Sequence, residues 1–183
     1  KTTSVGLLVF TSINGTLHGI LQARGAWNFE TQRSESWPGA HQITVHGKLH
    51  DGENPQEALK REIIEEIGID YSYLLPVIAL SSSKKTRVVS FIKSVPFFTV
   101  RQFRPHPGTG GLRLIREDEI SDIKDVRKFS KAEGVNDRRV IAMFPDEIQT
   151  IKDGFAHLKV KNLLVENITP PTRVGGFLYP ILG

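Results

Sequence analysis

Apolar residues fall along this chain in short dense runs at first and in helical stripes farther on. Residues 4–10 (SVGLLVF) and 16–23 (TLHGILQA) flank Ile13-Asn14-Gly15. Asn-Gly accepts the positive φ angles of a tight turn, so the two runs predict a β-hairpin. A loop from Trp27 to Gly39 follows, and residues 40–49 (AHQITVHGKL) again have strand composition. The period then changes. From Pro55 to Ile67, Leu59, Ile63, Ile64 and Ile67 form one stripe of a helix, with Asn54 placed to cap it, Pro55 in its first turn and Gly68 placed to end it. Runs at 74–81 (LLPVIALS), 87–94 (RVVSFIKS) and 96–103 (PFFTVRQF) are rich in β-branched and aromatic residues and predict three more strands. The stretch from Pro105 to Gly111 reads as a lid or a plain hairpin loop. Residues 117–126 (EDEISDIKDV) predict a short helix with an acidic start. Pro145 opens a longer helix with Ile148, Ile151, Phe155 and Leu158 on one side. This order predicts an α/β fold, a mixed sheet with the later helix covering the face opposite the 55–67 helix.

Composition narrows the picture. A chain of 183 residues, 39% of them hydrophobic, is long enough for one domain with a real core, and residues 1–183 read as that domain. Residues 162–183 form a C-terminal extension whose Phe177, Leu178, Tyr179 and Ile181 need a surface to dock on, such as a second copy in a homodimer. There is no Cys, which removes disulfides and thiolate chemistry. The apolar runs are too short for a membrane span and the N-terminus lacks signal-peptide order, so a cytoplasmic protein is expected. A net charge of +4 suits an anionic ligand, yet the chain lacks the basic clusters and interleaved aromatics of a nucleic-acid surface. Residues 71–116 hold eight Lys or Arg and no Asp or Glu, a bias that either steers a polyanion or protects strand edges, among them the Ser81–Lys85 loop.

The candidate chemistry lies on the polar side of the 55–67 helix. At about 100° per residue, Glu62, Glu65 and Glu66 share an arc of roughly 100°. Three like charges on one face repel unless a cation sits among them, and carboxylate oxygens suit hard Mg²⁺ or Mn²⁺. The helix also belongs to a longer pattern: Gly47, five residues, Glu53, seven residues, then Arg61-Glu62-Ile63, Glu65-Glu66 and Gly68-Ile69. This matches the Nudix box at every specified position, and the chain resembles a Nudix hydrolase. The resemblance implies a Nudix-type α/β/α sandwich and hydrolysis of a diphosphate linkage. Glu62, Glu65, Glu66 and the Gly47 carbonyl would hold the metal, Arg61 would orient the carboxylates, and Glu53 would fix the loop with Arg61.

LQAR at 21–24 and WPG at 37–39 are similar to the branch that contains isopentenyl-diphosphate isomerase. Those isomerases need a Cys and a metal-binding His after the first box glycine. This chain has no Cys and carries Lys48 there, which disfavours isomerisation and leaves hydrolysis of a nucleoside diphosphate derivative or similar organic diphosphate. A non-catalytic nucleotide-binding module is the other alternative. Arg24, Arg33 and Lys48 are candidate substrate contacts. Trp27 and Trp37 suit loop anchoring better than base stacking, and His41, His46 and His50 lack metal-ligand spacing. No carboxylate lies between Asp70 and Glu117, so the general base is expected at Glu62, with Glu117 or Glu119 as the rival.

Overall fold

The computed structural model describes residues 3–29, 31–80, 87–168, 172–174 and 177–179, with side chains as far as residue 162. The hairpin forms as expected: β1 (Ser4–Ile13) and β2 (Thr16–Ala23) pair antiparallel from Phe10↔Gly19 to Ile13↔Thr16. Away from the turn the two strands part. After the small ribbon of β3 (Trp27–Asn28) and β4 (Arg33–Ser34), the chain enters that gap. Here β5 (His41–Ile43) pairs with β2, and β6 (Val45–Lys48) pairs with the beginning of β1. The single strand expected over 40–49 is therefore two, and the break falls at Thr44. Its buried Oγ1 accepts from Val9 N at 2.8 Å and donates to the Ile20 carbonyl at 2.6 Å, so one hydroxyl serves a backbone group of each diverging strand.

The sheet is mixed. Beyond α1 (Pro55–Ile67), β7 (Ile78–Ala79) forms an edge on β8 (Val88–Ser94), which runs parallel to β1. A short helix α2 (Phe97–Val100) leads to β9 (Gly111–Arg116), which lies antiparallel along β2. The seven strands run β5-β2-β1-β8-β7, with β6 on β1 and β9 on β2. Smaller pairings join β10 (Lys124–Asp125) to β11 (Ala142–Met143), and β12 (Thr172–Val174) to β13 (Phe177–Tyr179).

Alternation along β1 sorts the core into two layers. Val5, Leu7 and Val9 pack with Ala58, Leu59, Ile63 and Ile67 of α1. Leu8 and Phe10 point the other way, to Ile151, Phe155 and Leu158 of α3 (Pro145–Ile168). The helices thus cover opposite faces, and the α/β/α sandwich is present. Phe10 and Phe155 meet edge-on at 4.9 Å, and Gly154 permits this approach: a Cβ there would lie 2.8 Å from the Phe10 ring. No described helix is long and apolar enough to cross a membrane.

Several expected elements differ. Residues 96–103 are not a strand, because Pro96 has no N–H for the ladder and instead precedes the turn of α2. In the 74–81 run only Ile78–Ala79 is extended; Tyr71–Leu74 is a 3-10 turn, capped by Asp70, and Pro76 interrupts the rest. Residues Glu117–Asp122 form a 3-10 turn rather than an α-helix, and β9 was not foreseen. The Ser81–Lys85 loop and the docking of the C-terminal aromatic residues lie outside what is described, although the backbone of α3 runs on to Ile168.

Glu147 of α3 reaches back to the strand break, where its Oε1 accepts from Ile43 N at 3.2 Å. Burial pushes this carboxyl up to about 7 from an ordinary 4.5. The folded state therefore holds a proton that the unfolded chain releases at lower pH. The resulting stability is complete below pH 4.5 and is lost as pH rises through about 7. Wild type should lose on the order of 2 kcal/mol between pH 4.5 and 7.5 relative to Glu147→Gln, whose amide oxygen still accepts from Ile43. Urea unfolding across that range checks this, and parallel profiles would refute it.

Candidate active site

The box helix is closed at both ends by its own neighbours. Asn54 Oδ1 accepts from Gln56 N and Glu57 N at 3.0 Å, and Glu57 Oε2 accepts from Asn54 N at 2.9 Å, a full capping box. Gly68, at φ 61°, ends the helix in the left-handed conformation. Past it, Arg104 N donates to the Ile67 carbonyl at 2.7 Å and His106 N to the Glu66 carbonyl at 3.1 Å. The segment before β9 thus satisfies carbonyls that the helix leaves open.

Arg61 gathers the acidic residues. Nε and Nη2 form a fork to Glu53 at 2.9 and 3.0 Å, Nη1 donates to Glu62 at 2.7 Å and Glu65 at 3.1 Å, and Nη2 also donates to the Lys48 carbonyl at 2.9 Å. All five donors of the guanidinium are engaged. The bond from Arg61 holds the Glu53 carboxyl down to about 2, helped by His50 N at 2.9 Å. Glu62 is buried directly over Gly47: a Cβ at residue 47 would lie 1.9 Å from its carboxyl carbon. The box glycine is thus required by space.

Glu66 completes the group from the other side, accepting from His46 N at 3.0 Å. Burial, and then the neighbouring charges of Glu62 and Glu65, push it up to about 8. Burial likewise lowers the His46 imidazole, which is neutral at pH 7. Glu65 is 56% exposed and turned toward Arg61. Among the described residues, no three His, Asp or Glu side chains stand together in metal-holding geometry as folded.

These residues border two adjoining clefts of about 430 and 510 Å³ whose shared lining includes Glu62, Glu66, Asn28, Glu35 and Thr109. Arg24 and Lys48 line the first. Arg24 is steadied by Glu35 Oε1 at 3.1 Å and the Ser36 carbonyl at 3.2 Å. Arg33 is exposed on β4 and borders neither cleft, so the structure does not bring this candidate to the site. Trp27 borders the second cleft, whereas Trp37 anchors a loop, meeting Phe144 edge-on at 5.2 Å. Glu117 pairs with Lys159 of α3 and Glu119 caps Arg116 N, so neither faces the box. Sequence reasoning missed Gln22 and Gln42 on the cleft floor, although each interrupts an apolar run. It also left open whether residues 105–111 reach the site, where Gly108 and Thr109 form part of the wall.

A mixed sheet between two helical layers, carrying a capped acidic helix against a glycine strand, defines a Nudix-type fold. The chain belongs to the Nudix hydrolase family: the NUDIX domain model matches residues 13–144. No curated protein matches the sequence. A MutT/Nudix family protein from Listeria innocua is similar in structure (TM-score 0.57, 19% identity, 88% of this chain and 94% of that one covered). So is an Ap4A hydrolase from C. elegans in a binary complex (TM-score 0.53, 14% identity, 86% and 97% covered). At these identities the likeness concerns the fold.

The contact between residue 47 and Glu62 makes a direct prediction. Gly47→Ala should destabilise the protein by about 1–3 kcal/mol through displacement of the Glu62 carboxylate. Lys48→Ala next to it should cost under about 0.5 kcal/mol, as a surface change does. Thermal unfolding of both checks this, and equal small losses would refute it.

Proposed function

We propose that this protein hydrolyses a diphosphate linkage in a nucleoside diphosphate derivative or a similar organic diphosphate, using a divalent metal ion. The observation that carries the reading is the Arg61 network, which assembles Glu53, Glu62 and Glu65 beside half-buried Glu66 at the edge of a cleft that also holds Arg24 and Lys48. The donor chemistry fits Mg²⁺ or Mn²⁺: all the side chains are carboxylates, and Glu66, raised first by desolvation and then by the charges of Glu62 and Glu65, is a group whose charged form a hard cation would favour. Glu62, Glu65, Glu66 and the Gly47 carbonyl would hold the ion, with Glu65 turning inward from Arg61. When bound, the ion supplies positive charge against the diphosphate oxygens.

The chain's own residues do the rest. Arg24 and Lys48 draw the anionic substrate into the cleft, and Arg61 keeps the carboxylates aligned. A water oxygen attacks phosphorus, the anhydride P–O bond breaks, and the water proton passes to a Glu62 carboxylate oxygen. Glu62 is favoured as the base because it borders both clefts, whereas Glu117 pairs with Lys159 and Glu119 caps Arg116 N, and neither lines them. The missing Cys and the presence of Lys48 continue to speak against isomerisation of an isoprenoid diphosphate.

With saturating Mg²⁺ and a panel of nucleoside diphosphate derivatives and isoprenoid diphosphates, Glu65→Gln and Glu66→Gln should each retain below about a tenth of wild-type turnover. Higher turnover by both would remove the metal assignment. In rate-against-pH profiles, Glu62→Gln should lose about 10²-fold or more, while Glu117→Gln and Glu119→Gln stay near wild type. The reverse order would move the base to the 117–119 turn.

A further inference from the structure

Gln22 of β2 and Gln42 of β5 stand directly opposite in register on the floor of the first cleft. Gln42 Nε2 donates to Gln22 Oε1 at 2.7 Å. Gln22 is only 1% exposed, yet its own Nε2 has no hydrogen-bond partner among the described residues. A buried donor without an acceptor costs folding stability, and an apolar side chain of the same size would avoid that cost. Among the described residues two other buried side-chain polar atoms lack partners, and neither belongs to this cleft. Thr11 does not border it, and neither does His41, which is one residue from Gln42 and so on the opposite face of the sheet.

We propose that Gln22 Nε2 is a specificity-determining donor. It reads an uncharged acceptor, the carbonyl oxygen or ring nitrogen of a heterocycle, on the part of the substrate beyond the diphosphate. This rests on the reading that the cleft binds an organic diphosphate. Charged oxygens already have Arg24 and Lys48 in the same cleft, whereas a neutral, desolvated amide rewards a neutral acceptor. The two amides point one way, from Gln42 to the more deeply buried Gln22, so the bond from Gln42 polarises the Gln22 amide and makes its N–H the stronger donor. Trp27 and Phe29, 43% and 52% exposed beside the adjoining cleft, offer flat apolar faces for the same heterocycle. An isoprenoid chain has no such acceptor and would leave the amide unpaired, which is how a polar site rejects a ligand.

The test compares wild type with Gln22→Met, close in size but without the donor, and Gln22→Glu, which places an acceptor there. Calorimetric titration with ADP in EDTA, which needs no turnover, should show at least tenfold weaker binding by both variants. Inorganic pyrophosphate should bind the uncharged Gln22→Met variant within about twofold of wild type. Gln22→Met should melt at or above the wild-type temperature, which a merely structural glutamine would not allow, and on a nucleoside diphosphate derivative its KM should rise more than its kcat falls. Unchanged ADP affinity in both variants, or a parallel loss for pyrophosphate in Gln22→Met, would overturn the assignment. If wild type binds ADP through Gln22 but cleaves no organic diphosphate, the hydrolytic reading fails while this one stands.

Discussion

The site depends on a parting of strands. β1 and β2 are joined by a tight turn but diverge within a few residues, and a sheet that opens this way leaves backbone groups unpaired on both sides of the gap. Thr44 resolves the conflict with one hydroxyl, accepting from one strand and donating to the other. Because Thr44 occupies the apex, the residues before it can join β2 and those after it can join β1. Gly47 is thereby carried to the place where α1 crosses, and Glu147 closes the same break from the opposite face.

What gathers at that crossing is charge held under tension. Arg61 is one cation spread over three carboxylates and a carbonyl, and its donors are fully used. Glu66 makes no hydrogen bond to Arg61 among the described residues; desolvation, and after it the repulsion of Glu62 and Glu65, raises its proton affinity. A guanidinium suits this post better than an ammonium would, since only the planar fork can grip Glu53 with two bonds and still reach Glu62 and Glu65.

Much of this was legible in the chain. The caps of α1, the Asn-Gly turn, and the stripes that place α1 and α3 on opposite faces follow from local chemistry and period, and the structure agrees. The spacing of Gly47, Glu53, Arg61 and the three glutamates brought one side chain after another to a common place. The failures have a common cause. Phe97, Phe98, Thr99 and Val100 have strand composition, but Pro96 had already ended the ladder. Residues 40–49 look continuous because nothing local shows that β2 will turn away from β1. Arg33 is close in sequence to Arg24, yet the β3–β4 ribbon carries it out of the cleft. Gln22 and Gln42 become neighbours only through pairing across twenty residues.

The segment from Arg104 to Thr109 has two attachments: its first residues hold the carbonyls of Glu66 and Ile67, and its later ones form the cleft wall with Glu62 and Glu66. A loop that did nothing but line a pocket could lengthen, shorten or change composition freely as ligands change. Here the anchoring half also closes the end of the box helix, so substitutions that leave that helix end intact are confined to the few positions after His106. New preferences would therefore arise more readily from the β3–β4 ribbon, which carries no such double duty, than from this stretch.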